Sequence, residues 1–363
     1  MFPNRTTTGS LRAAWLAALV FMAMSSSTVQ ADFTFGTPVN LDTVVPFLAD
    51  SIVECFSFDG LELFICSWRP GGSGATDIWV LKRSSAQDDW GPPENLGPIV
   101  NGAGTDAGSS LSADGLELYF NSDRPGGYGN YDLYVTRRAT RTSPWGPPIN
   151  LGSKVNSAGL EGFPWISSSG LELHFLSARA GGYGGFDLYV SRRATVNDPW
   201  EAAVNLGSVV NSSLNEASSC LSPDGLLLFF QDAGAPRPGG YGNGDLWMTR
   251  RAGPAGPWGP PVNLGPKVNT SMTEMRPCIP PDGSALYFNT GSTNWRAPIV
   301  PVVDFNADIK VDIVDLVMLV DDWGTNKTLC DIGPMPWGDG KVDIEDLKVF
   351  MTYYEKENPP AQP

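Results

Sequence analysis

Four carboxylates recur at one position of a repeated phrase. Asp106, Glu161, Glu216 and Glu274 each stand eight residues before the first residue of an Asp-Gly or Ser-Gly pair, and Ser51, with Asp50 beside it, fills the slot in the first copy. Brought together around an axis, such acids could bind a cation, or supply the acid and the base that cleave a glycosidic bond. A structural role competes with that chemistry. Arg69, Arg124, Arg179 and Arg237 recur once per copy and offer each acid an ion pair. A catalytic pair is singular, whereas this acid comes with every copy, so the structural role is preferred. Asp77, Asp132, Asp187 and Asp245 follow Gly-rich loops, where short acids bond local turn amides. No helix follows those glycines, so they form no phosphate loop.

His174 is the only histidine, and it shares its slot with the aromatic residues Phe64, Tyr119, Phe229 and Tyr287. It reads as a core residue, which excludes a Ser-His-Asp or Cys-His mechanism unless His174 itself serves, and excludes a His-rich transition-metal site. Tyr128, Tyr183 and Tyr241, in Gly-Gly-Tyr-Gly loops, could stack on sugar rings or pack between repeats, and both readings stay open. Cys55, Cys220 and Cys278 each precede an Asp-Gly pair by four residues, so they occupy one slot in different repeats and read as small buried filler. Cys66 and Cys330 have no evident partner.

The phrase behind these spacings is DGLELYFNSDRPGGYGNYDLYV, at 114–135, with close copies at 59–80 and 169–190, a fourth at 224–248 and a degraded fifth from Asp282. Asn-Leu keeps the same beat at Asn40, Asn95, Asn150, Asn205 and Asn263, in steps of 55, 55, 55 and 58 residues. Such periodicity points to a propeller or a solenoid. Each copy predicts four short strands: a hairpin about Asp-Gly (107–112 and 116–121 in the second copy), a third strand through Asp132, and a fourth at 149–151. Four antiparallel strands make a propeller blade, and five copies make five blades. The fifth has its hairpin, at 275–279 and 285–289, but lacks a Trp-Gly-Pro-Pro…Asn-Leu strand. Residues 36–41, near the N-terminus, supply that strand and close the ring.

The repeats resemble the WD-repeat-like propeller repeats of the TolB type, most clearly at Ser222-Pro-Asp-Gly225 and Pro280-Pro-Asp-Gly283. The resemblance covers about residues 36 to 301 and implies fold, not activity, because propellers host hydrolases, lyases and scaffolds alike.

After Pro301 the period stops. Asp304, Asn306, Asp308, Asp312 and Asp315 fall at positions 1, 3, 5, 9 and 12 of a calcium loop, and a helix is predicted over 316–323. The pattern returns with Asp339, Asp343 and Asp346, followed by a helix over 347–354; Asp331 supplies its first ligand if this loop is four residues longer. Two loop-plus-helix units at this spacing resemble a type I dockerin domain. That resemblance implies calcium and a cohesin-like partner. Two features depart from the pattern: Ile309 stands where position 6 calls for Gly, and Ile313-Val314 and Ile344-Glu345 stand where dockerins carry hydroxyl residues.

Arg5 and Arg12, an apolar run over 13–24 and Val29-Gln30-Ala31 predict a secretory signal cleaved near Ala31, the run being too short to span a bilayer. No later run approaches transmembrane length. The chain therefore divides into a signal (1–31), a propeller (32–301), an EF-hand-like α-helical calcium domain (302–355) and a tail (356–363), with export to the envelope or beyond. A formal charge of −15 disfavours nucleic acid as a partner. The preferred function is a non-enzymatic all-β propeller that binds a polysaccharide or a protein and is attached through its tail. The alternative is a glycoside hydrolase or polysaccharide lyase using Asp106, Glu161, Glu216 or Glu274.

Overall fold

A computed structural model describes residues 33–234, 237–327 and 329–359; the signal expected over 1–31 lies outside the described residues. The described chain divides into two compact units, one of which is 35–300 and the other chiefly 301 onward. The first is a five-bladed β-propeller. Blade one orders its strands Ser51–Phe56, Glu62–Ser67, Asp77–Lys82 and Glu94–Asn95 from the axis outward. Blade two repeats this with Asp106–Leu111, Glu117–Ser122, Asp132–Arg137 and Ile149–Asn150, and blade three with Glu161–Ile166, Glu172–Ser177, Asp187–Arg192 and Val204–Asn205. Blade four comprises Asn215–Leu221, Leu227–Ala233, Leu246–Arg250 and Val262–Asn263. All neighbours within these four blades are antiparallel.

Blade five is Glu274–Cys278, Ala285–Thr290 and Thr293–Pro301, with Val39–Asn40 paired antiparallel to the last of these, Asn40 opposite Trp295. Within the expected 36–41, strand pairing is thus confined to Val39–Asn40, and Phe33–Phe35 joins the same sheet. Leu41–Thr43 turns directly into a 3-10 helix, with the Asn40 side chain accepting from the Asp42 amide at 2.9 Å.

The hairpins also depart from a two-residue turn. In blade one Ser57 and Glu62 pair across a loop of four, 58–61. Asp59 accepts from the Leu61 amide at 3.1 Å, and Gly60 sits at φ +68°, where a side chain would be strained. Ser57 Oγ accepts from the Glu62 amide at 2.8 Å and donates to Asp59 at 2.7 Å, so the Ser and the Asp-Gly act as one unit.

Apolar faces pack between neighbouring blades. Tyr119, Leu133 and Val135 of blade two meet Ile166, Leu173, Phe175 and Tyr189 of blade three, all buried. The outer rim adds charge: Arg138, Arg193 and Arg251 each reach a carboxylate of the preceding blade, Glu62 (2.6 Å), Glu117 (3.1 Å) and Glu172 (2.6 Å) respectively. Each guanidinium also lies over an indole, of Trp145, Trp200 or Trp258, at 4.4–4.5 Å. On the opposite rim, glycine allows blades to touch. A Cβ on Gly129 would sit 1.8 Å from the Gly159 carbonyl oxygen, and one on Gly184 1.6 Å from that of Leu214.

The second unit has its own small core, including Phe305, Val311, Leu319, Ile332, Val342 and Phe350. Its two helices, Ile313–Asp321 and Ile344–Glu357, begin three residues earlier than expected. Asp312 and Asp343 cap them, and each makes a capping box with the aspartate three residues on.

Candidate functional site

The four repeated acids do not ring the channel. Asp106, Glu161, Glu216 and Glu274 are completely buried, and each folds back onto its own blade. Asp106 accepts from the Gly102 amide (2.5 Å) and Arg124 (2.6 Å); Glu161 accepts from Ser157 N and Oγ (2.8 and 2.5 Å), Ser177 Oγ (2.7 Å) and Arg179 (3.3 Å). Glu216 accepts from the Ser212 amide (3.0 Å) and Arg237 (2.8 Å), and Glu274 from Thr270 N and Oγ1 (3.1 and 2.6 Å). The expected ring fails because the acid heads its strand, four residues after a turn whose amides point at it. Those amides and the arginine claim its oxygens. Asp132 behaves alike: it accepts from the Tyr128 and Gly129 amides and from Asn150 Nδ2, at 2.6, 3.0 and 2.8 Å, and Asp77, Asp187 and Asp245 repeat the arrangement.

The channel is lined instead by residues two to four places further along each inner strand. There every inner strand carries a bulge, at 53–55, 107–110, 162–165, 217–220 and 275–278. Gly108, Phe163, Ser218 and Arg276 hold φ between +40° and +66°, which the last three adopt without glycine's freedom. The side chains at these places differ from blade to blade. Val53, Glu54, Ser109, Phe163, Trp165, Ser219 and Arg276 enclose about 30 Å³ of free space. Below it Cys55, Ser110, Trp165, Leu221 and Ile279 enclose about 50 Å³ more. Either volume suits a water or one small functional group, not a sugar ring.

Side chains from one blade hold the bulge of the next. Glu54 accepts from Gly108 N and Ser109 N at 2.5 and 2.8 Å and from Ser109 Oγ. Asn121 accepts from Phe163 N (3.1 Å), Gln231 from Arg276 N (3.0 Å) and Asn294 from Val53 N (2.9 Å). Blade three offers Leu176 at this place, which has no acceptor to give the bulge of blade four. Arg276 Nη1 donates to Cys66 Sγ at 3.3 Å, and its guanidinium lies 4.8 Å from the centre of the Phe163 ring. Burial, and after it the negative charge of Glu54, pushes the Cys66 thiol up to about 12, so it stays protonated. None of these channel residues stood out in the sequence, because attention went to what repeats. The available signal was the opposite one: Glu54 and Arg276 are the charged exceptions in columns otherwise filled by Ser or Pro and by Val, Gly, Phe or Ser.

His174 is fully buried against Trp258, with Glu172 3.7 Å from its Nε2. Burial lowers its pKa, and Arg251 and Arg192 add to that, against the pull of Glu172. The ring is therefore neutral and far from any proton-transfer task. Cys55, Cys66, Cys220, Cys278 and Cys330 are all free and buried. Tyr128, Tyr183 and Tyr241 stand about half exposed on successive blades, so they do not pack the blades together.

In the second unit two loops repeat one arrangement. Asp304 accepts from the amides of Asp308 (3.1 Å) and Ile309 (2.8 Å), and Asp331 from those of Asp339 (2.8 Å) and Gly340 (2.7 Å). The second loop thus does with four extra residues what the first does without them. Asp315 accepts from Phe305, Asn306 and Asp312 amides, Asp346 from Ile332, Gly333 and Asp343 amides. Ile309 (φ +72°) and Gly340 (φ +94°) make the same turn, and Ile309 is 93% exposed while making it. Asn306 bonds Asp308 on both sides of its amide. Among the described residues no three His, Cys, Asp or Glu side chains already converge as ligands of one ion. Burial, then the nearby charges of Asp346 and Asp339, raises the Asp331 carboxyl to about 6.

No protein-family model matches the chain, and no curated protein sequence matches it. Among solved structures it is similar to TolB from Acinetobacter baumannii, at 17% identity and a TM-score of 0.44, covering 68% of this chain and 54% of that one. It is also similar to the α-L-arabinofuranosidase PaAbf62A from Podospora anserina (14% identity, TM-score 0.45, 74% and 95% covered). A thermostable family-43 glycoside hydrolase gives 11% identity and a TM-score of 0.44, with 69% and 88% covered. The chain spans about half the length of the Acinetobacter TolB. At these levels the likenesses say nothing about activity.

Proposed function

We propose that the chain is an exported recognition propeller, which binds a polysaccharide or protein ligand without cleaving it and is attached through its C-terminal unit. The observation that carries this reading is the saturation of the repeated carboxylates: each is buried and held by turn amides, hydroxyls or arginine, with no face left to protonate a leaving group or activate water. The small channel volume and the neutral, enclosed His174 support it. The half-exposed Tyr128, Tyr183 and Tyr241 offer aromatic faces to a polymer. No described helix is long and apolar enough to cross a membrane.

The C-terminal loops supply only oxygen donors, the chemistry calcium prefers. Asp304, Asn306, Asp308, Asp312 and Asp315 would hold one ion, and Asp331, Asp339, Asp343 and Asp346 a second. A divalent cation would offset the burial, and after it the charges of Asp346 and Asp339, that raise Asp331. Ile313, Val314, Val317, Val320 and Trp323 leave an apolar face half exposed on the first helix, which suits docking to a cohesin-like partner. The test is affinity electrophoresis and reducing-end release on a polysaccharide panel, with Glu161→Gln and Glu216→Gln alongside. Retardation without release is expected. Release that either variant abolishes would replace this reading with a glycan-cleaving enzyme. Calcium binding is checked by calorimetry on the full chain against an Asp304→Ala/Asp331→Ala double variant, which should bind none.

A further inference from the structure

The channel contains one cation that makes no direct ion pair, although Glu54 lines the same cavity. Arg276 is half-buried in the bulge of blade five, and among the described residues no carboxylate lies within ion-pair distance of it. Its side chain donates to the Cys66 thiol, and among the described residues no other acceptor takes its remaining guanidinium N–H groups. Arg124, Arg179 and Arg237, by contrast, each meet an acid.

A second, independent group lines the same space. Ser219 is 4% exposed, and its hydroxyl is buried without any hydrogen-bond partner. Buried hydroxyls are almost always bonded, so an orphan lining the same cavity as the Arg276 guanidinium needs an explanation. At the place from which Asn121 and Gln231 supply acceptors to the bulges of blades three and five, blade three carries Leu176, which has none to give the adjoining bulge of blade four.

We propose that the channel holds a binding site for a single carboxylate group, received by Arg276 and the Ser219 hydroxyl. A planar guanidinium fork matches a carboxylate through two parallel N–H···O bonds. Space of about 30 Å³ admits such a group but little behind it. Glu54 lines the same cavity with its oxygens held by three neutral donors and its charge uncancelled, and since each added negative charge meets that repulsion a monoanion is favoured over phosphate or sulfate. Phe163 and Trp165 complete the wall and shield the pair from water. This site does not depend on whether the propeller binds a polymer; it would serve a free small acid or the acid group of a uronate.

The probe is sodium acetate, titrated into the full chain at constant ionic strength and read by calorimetry and melting midpoint, with phosphate as the competing anion. Saturable acetate binding is expected, with phosphate at least tenfold weaker. Arg276→Gly keeps the left-handed backbone and should abolish binding; Ser219→Ala should weaken it about tenfold while melting as the parent does. A galacturonate oligomer that displaces acetate more strongly than monomeric acids would place the carboxylate on an acidic polysaccharide, and displacement by monomeric acids alone would place it on a free acid. The proposal is overturned by a folded parent that shows no saturable acetate binding, by unchanged binding in Arg276→Gly, or by phosphate binding as tightly as acetate.

Discussion

The head of each inner strand and its middle, two to three residues apart, have opposite characters. The head carries an acid in four blades, sealed by its own loop and, in three of them, by an arginine. The middle carries a different side chain in every blade, on a strained bulge that faces the axis. Repetition here marks what each blade needs to stand against its neighbour. Singularity marks what the ring as a whole has been given. A charged residue is therefore more informative in this molecule when its counterparts are uncharged than when they match.

The contrast is broken if residues of the two kinds prove equally important to stability. Asp132→Ala should have the largest effect, because it removes a buried carboxylate and strands two loop amides and the Asn150 amide group at a partly buried place. Chemical denaturation should show a loss of about 3–5 kcal/mol. Glu161→Gln keeps the shape but turns donors toward Ser157 and Arg179, and should cost about 2–3 kcal/mol by the same measurement. His174 sharpens the comparison from within a repeated slot. Its folded pKa lies below the unfolded 6.5, so the unfolded chain binds the extra proton and stability is full above that value and falls below it. Between pH 7.5 and pH 5 the parent should lose stability that His174→Phe, which restores the slot's usual aromatic, does not lose. The smallest effect belongs to the channel: Ser219→Ala removes a hydroxyl that bonds nothing and should shift stability by less than about 0.5 kcal/mol. A Ser219→Ala variant as unstable as Asp132→Ala would end the distinction.

The period of 55 residues and the Asp-Gly signals made the propeller, its five blades and its N-terminal closure legible from the chain alone. Local chemistry was legible too where one residue serves its immediate neighbours, as Asp132 serves the loop before it. What escaped was contact between blades. That Arg138 would cross to Glu62 and stack on Trp145 depends on how sheets twist and face, which no short window contains. The bulges escaped for a related reason: Phe163 and Arg276 carry no glycine to announce a left-handed backbone. Spacing shows that the acids head the inner strands and have arginines within reach, but heading an inner strand does not make a side chain face the axis. In the C-terminal unit the reverse held, since Asp331 could be paired with Asp304 only by allowing for an insertion, and the shared amide contacts of both follow that allowance.

The clasp between Asn40 and Trp295 also sets an order in time. A chain made from its N-terminus presents Val39–Asn40 almost at once and the strand it needs almost last. Throughout synthesis, blades one to four can fold in sequence while the ring stays open at one seam. Whatever holds the early strand idle, or hides the exposed edge of the newest blade, decides whether the circle is completed within one molecule or between two.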